Sequence, residues 1–292
     1  MSISLGLAID VDAPFPELVD RARTGEALGF ETLYVPDHSR PWRHDPVPGG
    51  IWFDGWTALS ALASATSRAR IGTLVSNPVL RPPGLLVREA LAVDHLSAGR
   101  LQLGIGTGIA GFDHEATGTP YWPLSERLAR FTEYVAFVDT ALRSGSTPFR
   151  ATGPFFSGTL TGLPEPVQTP RPPITVGGAS KGVRAGAVER AECWNTHGAF
   201  GVAPDDLVEH LSALNADVSR RCEAAGRDPM ALRRSVLLLG PLSPWATRGR
   251  LAEVVEKMST IGFQEVVAFW PWTDEERAVF ERDADRIATL AG

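Results

Sequence analysis

The chain is poor in cysteine and in lysine. Cys193 and Cys222 are its only cysteines. Two cysteines support neither a disulfide framework nor a zinc site, and a reducing, cytoplasmic setting is the expectation. Only two of the 28 basic residues are lysines, Lys181 and Lys257, an arginine bias that reads as GC-rich coding. No run of Lys or Arg occurs and the net charge is −6. That balance argues against nucleic acid or an anionic membrane surface as the main partner, although single arginines can hold an acidic ligand. No segment approaches the roughly 18 uninterrupted apolar residues of a membrane span, so no membrane partner is expected. Met1 to Ile9 lacks a basic segment and a long apolar core, so no signal peptide is expected.

What the chain does have is alternation. Strand-like apolar runs at Ser4–Ile9, Thr32–Val35, Ala69–Val75, Leu101–Ile105, Pro173–Val176, Cys193–Thr196, Arg234–Leu239 and Glu265–Phe269 are each followed by a helical pattern. Gly29 and Gly99 stand where helices should stop. Eight strand-then-helix units predict a parallel sheet closed into a (β/α)8 TIM barrel, with an open doubly wound sheet as the runner-up. At 292 residues the whole chain, 1–292, fits one such barrel domain, since these run to about 250 residues as a unit. The stretch 144–171, rich in Gly, Thr and Pro, breaks the alternation. It reads as an insertion between units four and five, a hairpin lid over the barrel mouth.

In such a barrel the chemistry lies at the carboxyl ends of the strands. Asp10 and Asp12, then Asp37, His38 and Trp42, then Ser76 and Asn77, Thr107 and Gly108, Gly177 to Ser180, Asn195 to His197, and Trp270 with Trp272 all fall there. The segment Tyr34 to His44 concentrates the signal: an apolar strand breaks at Pro36, and an acid, an imidazole and an indole follow. That set suits proton movement beside a flat aromatic ligand, with Asp37 orienting the His38 ring. A metal held by His38, His44, Asp45 and Asp54 is the competing reading. The chain has no H-x-H on the first strand and no H-E-x-x-H, so no metal is expected. Gly104-x-Gly106-Thr107-Gly108 matches a dinucleotide loop only superficially; its glycines still permit close backbone approach to a planar ring. Gly177-Gly178-Ala179-Ser180 precedes a helix, so its amides can hold a phosphate; a plain turn feeding a helix is the other reading. Trp42, Trp52, Phe53, Trp56, Phe155, Phe156, Trp270 and Trp272 are expected to wall the pocket, which suggests a bulky, apolar or planar substrate.

Taken in order, these residues resemble the luciferase-like monooxygenase superfamily, and within it the branch that uses the deazaflavin coenzyme F420. Asp37-His38 with Pro41-Trp42-Arg43-His44 is similar to the active-site loop of F420-dependent glucose-6-phosphate dehydrogenases. Ile71 to Val75, Arg81-Pro82-Pro83, Asp94 and Gly99 through Gly108 resemble the central signature, and Pro173 to Gly178 the phosphate turn. The resemblance implies an oxidoreductase moving a hydride between F420 and a small-molecule organic substrate. It implies His38 as the catalytic imidazole, Trp42 on the substrate side, and Asp37 at the polar edge of the coenzyme ring. Leu74-Val75 would be a non-proline cis peptide backing the ring. Ser76, Asn77, Gly106, Thr107, Gly108 and Thr196 would line the coenzyme site, with Gly177, Gly178, Ala179 and Ser180 on its phosphate. A homodimer is also implied. One departure stands out. The sugar-phosphate dehydrogenases carry a Glu after the Gly-Thr-Gly turn, where this chain has Ile109. An FMN-dependent monooxygenase fed by a separate reductase is the alternative function, and a non-catalytic (deaza)flavin-binding barrel a third.

Overall fold

A computed structural model describes residues 3–42, 49–197 and 201–291. Strand β1 (Ser4–Ala8) leads into α1 (Phe15–Ala27), β2 (Thr32–Val35) into α2 (Gly55–Ala65), and β3 (Arg70–Thr73) into α3 (Pro83–Leu96). Strand β4 (Leu101–Ile105) is followed by a short α4 (Gly111–Thr117) and the long α5 (Leu124–Arg143). A two-stranded antiparallel hairpin comes next, β5 (Phe149–Thr152) and β6 (Ser157–Leu160). The alternation then resumes with β7 (Ile174–Gly177) and α6 (Lys181–Arg190), β8 (Cys193–Thr196) and α7 (Leu207–Ala224), and β9 (Arg233–Leu237) and α8 (Arg250–Thr260). It ends with β10 (Glu265–Phe269) and two helices, α9 (Asp274–Arg282) and α10 (Ala284–Ala291).

The eight parallel strands close in the order β1, β10, β9, β8, β7, β4, β3, β2. This is the (β/α)8 barrel that the alternation predicts. Its strands are buried on both faces, which is why they read as near-continuous apolar runs. In β1, Leu5 and Leu7 join the core between strands and helices, while Ala8 points into the barrel with Tyr34, Leu237, Val267 and Phe269. Gly6 has to be small: a side chain there would press on Val267 and the Tyr34 ring at 3.0 and 3.1 Å. Gly29 and Gly99 do end their helices, with φ of +89° and +81°.

Three sequence expectations change. Helix α4 was not anticipated, because seven residues are too few to show helical periodicity. The final helix divides at Asp283 into α9 and α10. The hairpin β5–β6 is present between units four and five, but it packs on the outside of the barrel and is not a lid. The Phe156 ring meets Tyr134 of α5 edge-on at 5.4 Å, and the Phe155 and Phe156 amides donate to the Glu133 carboxylate of the same helix. Leu160 lies against Gly84 at the start of α3. Apolar residues at alternate positions of the hairpin find a partner on exposed helix faces, which local sequence cannot foresee.

Candidate active site

The carboxyl ends of the barrel strands surround a cavity of about 380 Å3, a size that accepts a small-molecule cofactor. Its floor is apolar: Ala8, Leu237 and Phe269 rise from the barrel interior. One wall is strand β3 and its continuation. The Leu74–Val75 peptide is cis. The strand bulges there and returns to the sheet at Ser76, which pairs with Ile105. Thr73 Oγ1 and Ser76 Oγ lie 2.7 Å apart, and the Trp56 indole donates to Ser76 Oγ at 3.2 Å, so both ends of the bulge are tied.

The glycines of β4 and β7 are explained by that bulge. A Cβ at Gly106 would fall 2.6 Å from Val75 Cγ2, and one at Gly177 would fall 2.9 Å from Val75 Cγ1. A Cβ at Gly104 would run into the Thr73 carbonyl. What the sequence suggests as room for a planar ring is therefore first room for Val75, which itself lines the cavity.

His38 stands just beyond β2. Its ring lines the cavity, and Nδ1 lies 2.7 Å from Asp113 Oδ2 on α4. Asp113 is fully buried and also accepts from the Ser39 amide, Ser39 Oγ and Asn77 Nδ2, each at 2.7 Å. Burial pushes the Asp113 pKa up, but the His38 and Ser39 contacts outweigh it and hold the carboxyl below its ordinary range. Phe112 meets the His38 ring edge-on at 5.6 Å, and the Trp52 indole donates to the His38 carbonyl at 2.8 Å.

Asp37 does not orient His38. Arg81 Nε and Nη2 donate to its two oxygens at 3.0 Å each, and the Asn77 amide donates to Oδ2 at 2.9 Å. The side chain is buried against α3 and α2 rather than turned to the cavity, because Arg81 offers a bidentate partner. This corrects its expected place at the polar edge of a bound ring. In the competing metal set, Asp54 caps α2 and pairs with Arg81, while His44 and Asp45 lie outside the described residues.

The structure brings the other expected residues together. Trp42, Leu74, Val75, Ser76 and Asn77 line the cavity, as do Gly106, Thr107 and Gly108, the turn Gly177 to Ser180, and Thr196. The Trp42 ring sits 6.5 Å from that of His197, whose pKa is lowered by burial. Trp52, Phe53, Trp56, Phe155, Phe156, Trp270 and Trp272 do not line it. Trp56 is core, and Phe155 and Phe156 belong to the outer hairpin. Apart from Trp42 and Phe269, the large apolar groups on the wall are aliphatic, among them Leu74, Val75, Ile109, Leu124, Leu128 and Leu237.

At the far end, Ser180 caps α6 by accepting from the Val183 amide at 3.3 Å. The first-turn amides of α6 have no acceptor within the helix, and no acidic residue stands in that turn. Arg127, the fourth residue of α5 after its Pro123 cap, lines the same cavity and is only 8% exposed. Its Nη1 donates to the Tyr121 hydroxyl at 2.9 Å, while Nε is buried with no protein partner. A buried guanidinium nitrogen without an acceptor, lining the same cavity as a helix N-terminus, fits an anionic group on a ligand. Sequence reading missed Asp113 and Arg127. The only trace of the first is its place in the turn after strand four; the second is one arginine among many on a long helix.

The chain is similar to several known proteins. A stretch of 140 residues is 37% identical to the F420-dependent glucose-6-phosphate dehydrogenase of Segniliparus rotundus, covering 46% of this chain and 40% of that protein. The enzyme of the same description from Kribbella flavida is 31% identical over 173 residues, covering 58% and 50%. The matched region is thus half or less of these relatives' length. Among solved structures, a coenzyme F420-dependent tetrahydromethanopterin reductase from Methanopyrus kandleri superposes over the full length of both chains, with a TM-score of 0.77 and 14% identity. An F420-dependent secondary alcohol dehydrogenase gives a TM-score of 0.74 at 17% identity, covering 97% and 98% of the two chains. These similarities show the fold. Residues 3–286 match the luciferase-like monooxygenase family, and the chain belongs to it.

Proposed function

We propose that this protein is an F420-dependent oxidoreductase that transfers a hydride between the deazaflavin and an apolar organic substrate, an alcohol, carbonyl or activated alkene. The observation that carries the coenzyme is the pairing of a glycine-walled, bulge-backed slot with an anion-ready end. The slot lies between Val75 and the β4 and β7 turns; the end is the start of α6 with the unpartnered Nε of Arg127. The relatives named above are described as F420-dependent, and the loop with Asp37, His38 and Trp42 resembles the active-site loop of such enzymes. When bound, the deazaflavin supplies a carbon that accepts or donates a hydride, and the protein must place substrate against one face. Trp42 and His38 would face that substrate, and the residues from Leu74 to Asn77 would hold the ring.

The substrate class follows from Ile109. It lines the cavity and is 56% exposed, where the sugar-phosphate dehydrogenases are expected to carry a Glu. An isobutyl-sized apolar group cannot take a proton, and no lysine lines the described cavity to hold a sugar phosphate. Glucose 6-phosphate should therefore give negligible F420 reduction, with turnover found instead among apolar alcohols, ketones or enones. Equilibrium titration tests the coenzyme. F420 should bind at least about tenfold more tightly than FMN, about 1.4 kcal/mol. Arg127→Leu should weaken F420 by about 10- to 100-fold, as loss of a charged hydrogen bond requires, and should leave a deazaflavin lacking the phosphate and its tail unaffected. FMN binding as tightly as F420 would replace this reading with the monooxygenase. F420 binding without turnover on any substrate class would leave a binding barrel.

A further inference from the structure

We infer that Asp113 is the positioning residue of this site: it fixes the tautomer of His38 so that Nε2, not Nδ1, exchanges a proton with the substrate. The inference deepens the proposed oxidoreductase reading and rests on it for the identity of the substrate. The argument starts from what Asp113 can do. A carboxylate held below its ordinary pKa range is ionised and can only accept hydrogen bonds. All four of its short partners, at 2.7 Å, must then be donors. Ser39 N, Ser39 Oγ and Asn77 Nδ2 meet that demand whatever the state of His38. Nδ1 of His38 meets it only by carrying the proton, which leaves the lone pair of the neutral ring on Nε2.

Ring orientation follows from the same contacts. Asp113 holds one edge, Phe112 packs on the ring, and Trp52 fixes the backbone carbonyl. With Nδ1 engaged, Nε2 is the nitrogen available to the cavity that His38 lines. In the oxidative direction the substrate's O–H bond breaks and its proton passes to Nε2. The hydride of the carbinol C–H bond would go to a bound deazaflavin, and the substrate would leave as a carbonyl compound. The ring then carries a positive charge 2.7 Å from a buried carboxylate. No carboxylate is among the described residues that line the cavity, which leaves its imidazoles, His38 among them, as proton acceptors.

The decisive measurement is the nitrogen-15 correlation spectrum of the histidine rings in the coenzyme-free protein, at a pH where His38 is neutral. His38→Gln identifies the signal among the six histidines. The Nδ1–H tautomer is expected; an Nε2–H tautomer would overturn the assignment, with no substitution at Asp113 needed. Asp113→Asn should then abolish the tautomer preference. It should lower kcat by about 10²- to 10⁴-fold, the range of acid–base groups and their orienting partners. The Kd for F420 should move less than about threefold, so the loss falls on kcat and not on binding. An Asp113→Asn protein with unchanged tautomer and kcat would reduce Asp113 to a packing group. The spectrum requires neither coenzyme nor substrate, so it can fail or succeed apart from the F420 reading.

Discussion

Asp37 and Asp113 flank the same histidine, and both are buried acids. They differ in what compensates their charge. Asp113 is satisfied by neutral donors and an imidazole, so its charge remains available to His38. Asp37 is matched by a guanidinium at two points and serves the wall behind the site. Removing one partner of a buried pair strands the other, at a cost of about 3–5 kcal/mol. Asp37→Asn should therefore destabilise the protein by about 3 kcal/mol in chemical denaturation, the lower end because Asp54 and Glu89 still neutralise Arg81. F420 affinity in the folded variant should remain within about threefold. A variant of normal stability with a collapsed coenzyme affinity would return Asp37 to the ring.

Arg81 joins four elements. It links the end of β2 through Asp37, the cap of α2 through Asp54, the first turns of α3 through Glu89 at 2.7 Å, and α5 through its carbonyl, which accepts from the Tyr134 hydroxyl. Three carboxylates face one guanidinium, so one proton is readily retained. Burial pushes Glu89 up, Arg81 pulls it back and the charges of Asp37 and Asp54 push again, leaving it at about 7. A carboxyl with a folded pKa above its unfolded value of 4.5 binds more protons in the folded state. Its contribution is complete below about pH 4.5 and is lost as the pH rises through about 7. Stability should fall by up to about 1 kcal/mol per pH unit across that window from this group alone. Glu89→Gln should remove that slope; urea midpoints of both proteins from pH 5 to 8 give the comparison, and parallel curves would disprove it. How much of this was legible varies with distance along the chain. Strands, helices and the Gly29 and Gly99 stops are local patterns and could be read directly. The partner of His38 could not, because Asp37 is adjacent in sequence while Asp113 is 75 residues away and arrives on a helix too short to detect. The aromatic residues were visible too, but whether an indole faces a cavity or a core depends on neighbours brought by other units.

At the scale of the whole molecule, the barrel keeps its chemistry at one end and its additions on the outside. The hairpin β5–β6 is the clearest addition. Its contacts run to α3 and α5: Phe149 on Phe137 at 4.9 Å, Phe156 on Tyr134, and the Arg130 guanidinium 4.5 Å over Phe155. Replacing residues 149–160 by a short turn should lower the melting temperature, because it uncovers apolar helix surface. It should leave the F420 Kd within about threefold, since no hairpin residue lines the cavity. A tenfold loss of coenzyme affinity in the trimmed protein would mean that the hairpin reaches the mouth after all.

Val75 and the glycines around it impose an order on how this site can change. At Gly106 and Gly177 the obstacle to a larger residue is the Val75 side chain, so the ban is conditional. At Gly104 it is the Thr73 carbonyl, so the ban holds whatever stands at 75. Drift or laboratory evolution must therefore shrink Val75 before it can enlarge 106 or 177. The reverse order passes through an intermediate in which the Val75 side chain has to be displaced. The same substitution at Gly106 is thus harmful in one lineage and acceptable in another. Any effort to reshape the slot has to treat 75, 106 and 177 as a single locus with one direction of travel.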